Sequence, residues 1–283
     1  MKIAVTAASG QLGSAIVKAT VNLLSKDDVI ALARTPDKAL HLGVEVRLGD
    51  YNEPEIMEES LKGVDALLLV SGMDAPDKRI GQHRNVIEAA KKAGVKKIVY
   101  TSVQGAEENT AFSPVIQSNR QTEQDVRESG LDWVIGRNGI YIEPDLEYIE
   151  SYKKTGSIFN CAADGKCGYT TRDELGYAYA KMLSENKHNG STYNLNGEAI
   201  TQTQLTEYMN LAFGTNLVFK SMSVEEYRED RIAELGDFIG TIIAGIYQGI
   251  REGKSDNPSD YEKAAGRPHI GWQAFFTDLA NHQ

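Results

Sequence analysis

The sequence predicts an α/β protein with a doubly wound parallel sheet and a smaller, mostly C-terminal α/β part. Short apolar runs alternate with segments of helical periodicity through the first 140 residues. The connections between them are short, which is typical of parallel strands joined by right-handed helical crossovers. The run Ala-Leu-Leu-Leu-Val within Asp65–Ser71 is unbroken, as expected for a strand that helices cover on both faces.

The first part of the chain contains six predicted strands and five predicted helices. The strands are Ile3–Thr6, Val29–Ala33, Val44–Leu48, Asp65–Ser71, Val95–Thr101 and Leu131–Gly136. The helices are a first one around Leu12–Leu23, followed by Pro36–Leu42, Glu53–Leu61, Ile80–Ala93 and Pro114–Ser129. A ligand of such a sheet is expected beyond the carboxyl ends of its strands.

After Arg137 the alternation of strands and helices becomes irregular. Helices are predicted at Ile142–Lys154, Arg172–Glu185, Thr201–Phe213, Val224–Leu235, Phe238–Ile250 and Trp272–Leu279, with strands at Ser191–Leu195 and Leu217–Ser221. We therefore divide the chain into residues 1–140 and residues 141–283, between which the chain is free to interleave.

The amino-acid composition limits which classes of binding partner and which cellular compartment we expect for this protein. The 283 residues include 30 Lys+Arg and 40 Asp+Glu, and the resulting net charge of −10 repels phosphate backbones and anionic lipid. We therefore expect neither nucleic acid nor a membrane as a partner. The apolar stretch Ile3–Ala8 is too short for a signal peptide, and no apolar run reaches the ~18 residues of a membrane helix. We expect a cytoplasmic protein.

The cysteines and histidines do not show the spacing of a metal site. The sequence contains no C-x-x-C, H-E-x-x-H or H-x-x-x-H pattern, so we expect no bound metal. Cys161 and Cys167 lie on one short stretch and are close enough in sequence to pair. Two reduced thiols in a reducing compartment are the simpler expectation.

The first strand leads into a turn of the kind that binds dinucleotide phosphates. Such a site needs a tight turn, bare backbone near the pyrophosphate and free N–H groups at a helix N-terminus. Gly10 and Gly13 occupy the second and third positions of a G-x-x-G-x-x-G pattern, whereas Ala7 stands at the first. An ordinary strand–helix turn is the alternative. The predicted phosphate loop consists of Ala7, Ala8, Ser9, Gly10, Gln11, Leu12 and Gly13.

The residues after the second strand favour NADP(H) over NAD(H). An acidic residue at this place would accept hydrogen bonds from the ribose 2′-hydroxyl of NAD. This chain has Arg34 instead, which is able to form a charge-assisted pair with a 2′-phosphate, and Lys38 adds a second positive charge. An exposed loop arginine without a ligand is the alternative.

Two further strand ends supply candidate contacts to the same dinucleotide. Asp50 and Tyr51 follow the third strand, where the carboxylate is placed to accept the adenine amino group and the ring adds apolar surface. Asp50 as the N-cap of the next helix is the alternative. Ser71, Gly72 and Met73 follow the fourth strand, where small residues allow the cofactor ribose to pass.

These motifs continue in order with Gln82-His83-Arg84-Asn85-Val86, Tyr100-Thr101-Ser102 and Arg137-Asn138-Gly139-Ile140-Tyr141. With them the chain resembles the NmrA-like group of atypical short-chain dehydrogenases, and most closely its branch of NADPH:quinone oxidoreductase and triphenylmethane reductase. The resemblance covers nearly the whole chain, since the landmarks Asp164-Gly165-Lys166, Thr171-Arg172-Asp173, Tyr193-Asn194-Leu195 and Thr203-Gln204-Leu205 also fit.

The resemblance implies a Rossmann-type fold, NADP(H) as cofactor and a set of binding residues. Residues 1–140 would form the NAD(P)-binding domain and residues 141–283 the substrate-binding part. Ala7–Leu12, Arg34 and Ser71–Met73 would hold NADPH. Asn138 and its neighbours would approach the nicotinamide and face the acceptor. This last segment consists of Asn138, Gly139, Ile140, Tyr141, Ile142 and Glu143.

The chain departs from the wider family at the expected acid. Typical short-chain dehydrogenases protonate a carbonyl with a Tyr-x-x-x-Lys pair on the helix after the fifth strand. Here Asn119 and Glu123 stand near that position, where related members of the branch carry His and Glu. No tyrosine lies between Tyr100 and Tyr141, so alcohol or ketone chemistry is disfavoured and we assign no catalytic residue.

Two functions from different classes follow from this pattern. We expect an oxidoreductase that passes a hydride from NADPH directly to a quinone-like or other electron-poor conjugated acceptor. The alternative is a redox-sensing regulator of the NmrA type that binds NADP(H) without turnover. A nucleotide-sugar epimerase would require a proton-handling tyrosine, which the predicted position lacks.

Overall fold

The computed structural model describes residues 1–282 and contains a central parallel sheet of seven strands. The strands of the chain are β1 (Ile3–Val5), β2 (Val29–Ala33), β3 (Glu45–Leu48), β4 (Ala66–Val70), β5 (Lys97–Val103), β6 (Asp132–Asn138), β7 (Ile140–Tyr141), β8 (Ser157–Asn160), β9 (Lys166–Cys167), β10 (Tyr169–Thr170), β11 (Ser191–Leu195), β12 (Ile200–Thr201) and β13 (Val218–Ser221). The central sheet has the order β11-β6-β5-β4-β1-β2-β3. The predicted doubly wound, Rossmann-type fold is confirmed.

Helices cover both faces of this sheet. The helices of the described chain, of which six cover the sheet, are α1 (Gln11–Leu23), α2 (Pro54–Ser60), α3 (Pro76–Lys92), α4 (Ser113–Arg127), α5 (Glu143–Glu147), α6 (Ile149–Thr155), α7 (Arg172–Ser184), α8 (Gln202–Phe213), α9 (Val224–Leu235), α10 (Asp237–Arg251), α11 (Tyr261–Ala265) and α12 (Trp272–Asn281). Helices α1, α7 and α11 share one apolar core with the sheet, and α2, α3 and α4 share the core of the opposite face. The inner strands β1, β2 and β4 are buried along their whole length, which explains their unbroken apolar runs.

The second part of the chain forms a smaller core of its own. Strand β7 pairs with β10, β8 with β13, and β9 with β12. Residues of α5, α6, α8, α10 and α12 meet around buried Trp272 and Phe276. The chain also returns to the large sheet, because α7 packs on α1 and β11 pairs with β6. The division at residue 140 therefore stays a prediction, with residues 172–195 belonging structurally to the sheet.

Several local predictions needed correction. The single helix predicted at Ile142–Lys154 is wrong: α5 and α6 are separate, because the backbone at Tyr148 has a ψ of 0° and does not continue the helix. Pro36–Leu42 is a 3₁₀ helix. The short strands β7, β8, β9, β10 and β12 were not predicted, since pairs of two to four residues carry no periodicity.

Two other features bear on the sequence analysis. Cys161 and Cys167 are free, buried thiols, and burial raises the pKa of both. Within residues 1–282, none of the helices combines the length and the apolar character that crossing a bilayer requires.

Candidate cofactor and active site

The turn between β1 and α1 presents free backbone N–H groups at a helix N-terminus. The N-cap of α1 is Gly10, with no capping side chain and no acidic residue in the first turn. The first N–H groups of α1 therefore lack intrahelical partners and point toward any anion placed there. A Cβ atom on Gly13 would lie 2.3 Å from the carbonyl oxygen of Ala7, so only glycine permits this approach of helix and strand.

Ala7 adopts a backbone conformation that glycine prefers. Its φ is +48°, in the left-handed region, where a side chain costs about 1 kcal/mol or more. The turn is nevertheless closed, since Gly10 N donates to Ala7 O at 2.9 Å and Ala8 N donates to Leu32 O at 3.0 Å. The alanine thus keeps the tight turn of the motif at a cost in backbone strain.

Arg34 and Lys38 lie on the surface after β2, free for a ligand. Both side chains are exposed, and within residues 1–282 neither forms an ion pair or a side-chain hydrogen bond. Asp74, on the turn after β4, is close enough for Arg34 to help lower its pKa, although the hydrogen bond from Gln82 contributes most. Gln82 Nε2 donates to Asp74 Oδ2 at 2.6 Å. The positive charges stand where the prediction places the 2′-phosphate.

Asp50 and Tyr51 have different local roles at the end of β3. Asp50 Oδ1 accepts the backbone N–H of Asn52 at 2.9 Å, so the alternative of a helix N-cap is wrong: the cap of α2 is Glu53. The Tyr51 hydroxyl donates to Val70 O at 2.7 Å and contacts Thr6 Oγ1. Tyr51 therefore joins the ends of β1, β3 and β4 and presents its ring edge toward His83.

The turn after β4 is held by a buried histidine. Gly72 N donates to His83 Nε2 at 2.9 Å, and this leaves the proton on Nδ1, which bonds Thr122 Oγ1 at 2.9 Å. Burial, with the Arg79 guanidinium nearby, lowers the pKa of His83 to about 3. His83 is thus neutral, and both of its ring nitrogens are occupied by hydrogen bonds. It positions the backbone of Ser71–Met73 and does not act as a catalytic acid. Met73 is exposed.

Neither of the two side chains at the family's acid position is a Brønsted acid in its observed environment. Asn119 Oδ1 accepts the hydroxyls of Tyr100, at 2.7 Å, and Ser71, at 3.1 Å, while its Nδ2 donates to Val115 O at 2.8 Å. Glu123 is fully buried and ionised, because Arg120, Arg127 and Arg137 surround it. The Arg137 pair is bidentate, at 2.8 and 2.7 Å.

The segment from Asn138 to Glu143 lies at the end of β6. Asn138 Oδ1 accepts the Tyr179 hydroxyl at 2.6 Å, and its Nδ2 donates to the Tyr141 hydroxyl at 3.1 Å. A Cβ atom on Gly139 would lie 2.2 Å from Gly168 O, so this position also requires glycine. Ile142 is buried, and burial raises the pKa of Glu143. The carboxylate of Glu143 accepts the backbone N–H of Arg172 at 2.6 Å.

The strand order brings the predicted residues to one edge of the sheet. Parallel strands end together, so the residues after β1, β2, β3, β4 and β6 lie at one edge of the sheet, which is where ligands of such folds bind. Arg34 and Asp50 lie toward the β3 side and Asn138 toward the β11 side, with the phosphate loop between them. This spread matches an extended dinucleotide, with its adenosine at one end and its nicotinamide at the other.

Two residues of α7 belong to the site and were not predicted. Tyr179 holds Asn138, and the Arg172 guanidinium lies 5.5 Å from the centre of the Tyr141 ring. Both follow β6 by more than thirty positions in the chain, so no local pattern connects them with it. The Thr171 N-cap signal marks the start of α7 but not the direction in which its side chains face.

The observed cradle fits a dinucleotide: uncapped N–H groups, two glycines that admit no side chain and unpaired positive charges follow one another along the cleft. The comparisons agree with it. A family model described as NAD(P)H-binding matches residues 7–175. Quinone oxidoreductase 2 of Escherichia coli is 32% identical over 272 residues, which cover 94% of each chain.

Solved structures extend the similarity to the whole fold. The NADPH complex of an NADPH-dependent quinone oxidoreductase from Escherichia coli superposes with a TM-score of 0.89 at 31% identity, covering 98% of this chain and 99% of that one. The NADP(H) complex of triphenylmethane reductase from Citrobacter sp. has a TM-score of 0.89 at 32% identity, covering 99% and 100%. This chain therefore belongs to the NAD(P)H-binding family and is an NAD(P)H-dependent reductase of the quinone oxidoreductase and NmrA-like type.

Proposed function

We propose that this reductase transfers a hydride from NADPH directly to a quinone or a similarly electron-poor conjugated acceptor. The observation that carries the proposal is the chemistry of α4, where Asn119 is an amide bound to Tyr100, Ser71 and Val115, and Glu123 is an ionised carboxylate paired with three arginines. A carbonyl substrate would need an acid at this place. A conjugated acceptor spreads the incoming charge over its ring, and solvent then supplies the proton.

The residues of the cleft would bind and orient the two reactants. Bound NADPH supplies the hydride. The free N–H groups of α1 would hold its diphosphate, and Arg34 with Lys38 would hold its 2′-phosphate. Asn138, fixed by Tyr179, and the backbone of Gly139 would orient its nicotinamide end. Orientation of this kind lowers a barrier by up to about 7–11 kcal/mol in ideal cases, without any contribution from an acid.

The names of the similar proteins support this class of acceptor. One is called a quinone oxidoreductase and another a triphenylmethane reductase. Quinones and triphenylmethane dyes are both conjugated, electron-poor hydride acceptors. Neither reaction requires the enzyme to protonate an isolated carbonyl.

Steady-state assays test the proposal. Purified protein is mixed with NADPH and a panel of quinones, and the loss of NADPH absorbance is followed against the uncatalysed rate. We expect turnover with at least one quinone, and weaker turnover with NADH. Absence of turnover, together with unequal affinities for NADPH and NADP⁺ in calorimetry, would instead establish the redox-sensing regulator.

A further inference from the structure

Asp145 on α5 is a buried carboxyl group surrounded by tyrosines. Its Oδ1 accepts the Tyr247 hydroxyl at 3.1 Å and the Tyr152 hydroxyl at 3.3 Å, and the Tyr169 hydroxyl lies beside it. Within residues 1–282, no lysine, arginine or histidine forms a hydrogen bond or an ion pair with this carboxyl. A buried carboxylate without a cation is costly, so its position calls for an explanation.

The location of Asp145 connects it to the candidate nicotinamide segment. Helix α5 begins at Glu143, the last residue of that segment. Tyr169 belongs to β10, which pairs with β7, so the carboxyl also faces the strand that carries Tyr141. A shift of Asp145 would therefore move the backbone to which the proposed function assigns the nicotinamide.

Tyr247 belongs to α10, a helix that crosses to the other side of the cleft. A Cβ atom on Gly245 would lie 2.3 Å from the backbone nitrogen of Phe112, and Gln248 Nε2 donates to Asn109 O at 3.1 Å. Ile242 and Ile246 pack on the apolar cluster at the start of α4. Helix α10 thus spans the gap between the loop after β5 and the segment after β6, where the acceptor is expected.

We propose that Asp145 is a positioning residue that holds α10, through the Tyr247 hydroxyl, as a fixed wall of the acceptor cleft. We call the Asp145–Tyr247 hydrogen bond the latch. The proposal rests on the proposed function for its acceptor, but the latch itself is a property of the protein without acceptor. Tyr152 bonds the same oxygen from α6, so its hydroxyl provides a control outside α10.

Ionisation of Asp145 should tighten the latch. Burial raises the pKa of Asp145 to about 6, although hydrogen bonds from Tyr247, Tyr152 and Tyr169 partly oppose the rise. The ionised carboxylate accepts a stronger hydrogen bond from Tyr247 than the neutral carboxyl group does. We therefore expect the KM for the acceptor to increase as the pH falls from 7 to 5. The titratable groups that face the carboxyl are Tyr152 of α6, Tyr169 of β10, Cys167 of β9, Tyr227 of α9 and Tyr247 of α10.

A pair of matched variants tests the latch. Tyr247→Phe removes the bond to α10, and Tyr152→Phe removes the bond to α6, with the same loss of one hydroxyl. We expect Tyr247→Phe to raise the quinone KM by roughly fivefold or more, as loss of one such hydrogen bond implies. Tyr152→Phe should leave the quinone KM within about twofold of the wild-type value. The NADPH Kd from calorimetry should be unchanged in both tyrosine variants.

Hydrogen–deuterium exchange provides a readout without turnover. Tyr247→Phe should increase exchange in α10 and in the loop around Phe112, whereas Tyr152→Phe should not. Asp145→Asn, which cannot ionise, should abolish the pH dependence of the quinone KM, and it replaces Tyr247→Phe if that variant does not fold.

The outcomes separate the latch from the proposed function. Equal effects of the two tyrosine variants, a parallel change in the NADPH Kd, or unchanged exchange in α10 would each overturn the latch. Wild-type protein that reduces no quinone would overturn the proposed function, and the exchange data would still decide whether the latch exists.

Discussion

Our proposal assigns the preference for one dinucleotide over the other to Arg34. Its guanidinium is exposed and unpaired within residues 1–282, so replacing it disturbs no packing. We expect Arg34→Ala to weaken NADPH binding by roughly 10- to 100-fold, the value of a charge-assisted hydrogen-bonded pair, and to leave NADH binding nearly unchanged. Calorimetric Kd values for both dinucleotides check this. Equal losses for the two would remove Arg34 from the 2′-phosphate.

Ala7 offers a second test at the scale of one residue. Its φ of +48° is unfavourable for alanine and free for glycine. We expect Ala7→Gly to raise the free energy of unfolding by up to about 1 kcal/mol and to tighten NADPH binding by roughly two- to fivefold. Urea unfolding and calorimetry measure the two effects.

Ala163 is the matched control for Ala7. Its φ is +50°, but it lies on the turn after β8, away from the phosphate loop. Ala163→Gly should stabilise the protein by a similar amount and leave the NADPH Kd unchanged. The same gain in affinity in both variants would show that the phosphate loop is not the cause.

At the scale of one element, the ion cluster on α4 stabilises the fold. Burial acts to raise the pKa of Glu123, but the guanidinium groups of Arg137 and Arg120 outweigh it and hold that pKa below its usual value. Glu123→Gln leaves three arginines without their carboxylate. We expect the free energy of unfolding to fall by about 2–3 kcal/mol. This is at or below the lower end of the range for breaking a buried ion pair, because the three arginines are partly exposed.

The stabilisation by Glu123 should depend on pH, and the direction of this dependence follows from its lowered pKa. A carboxyl whose pKa is lowered on folding contributes stability above its unfolded value of 4.5, and this contribution is lost as the pH falls through the folded value. Urea unfolding should therefore show a smaller acid loss in Glu123→Gln than in the wild type. Glu128→Gln, an exposed carboxylate after the same helix, is the control and should change neither quantity.

At the scale of the whole molecule, the two parts of the chain are expected to unfold together. Helix α7 and strand β11 return to the sheet after β6, and α10 packs on the start of α4. Calorimetry should show one transition. NADPH at a hundredfold excess over its Kd should raise stability by about 2.7 kcal/mol and the Tm by roughly 4–5 °C. Two separate transitions, of which NADPH moves only one, would contradict this expectation.

Much of the fold was predictable because its signals are local. The strands at Val29–Ala33 and Ser191–Leu195 and the helix at Val224–Leu235 have the predicted bounds. Each combines a periodic apolar pattern with a boundary signal, such as the capping box of Ser223 and Glu226. The break at Tyr148 was not predictable, because the apolar spacing continues across it.

The stretch 254–259 shows what local signals miss. Its Lys-Ser-Asp-Asn-Pro-Ser composition indicates a loose loop. In the structure, Asn257 Nδ2 donates to Gln104 Oε1 at 3.1 Å, and Ser255 O accepts the N–H of Gly168 at 2.8 Å. The loop therefore ties the end of β5 to β9 and β10 through contacts between residues that are distant in the chain.

The sequence by itself determined the parallel sheet, the phosphate loop with its unusual alanine and the positive charges after the second strand, because these depend on neighbours a few positions apart. Only the tertiary structure decided which of the polar residues are engaged in hydrogen bonds and ion pairs that stabilise the fold. Glu123 and His83 both look available in the sequence, yet distant partners occupy each of them. Long-range packing sets the protonation and freedom of a buried side chain, and no local pattern encodes that packing.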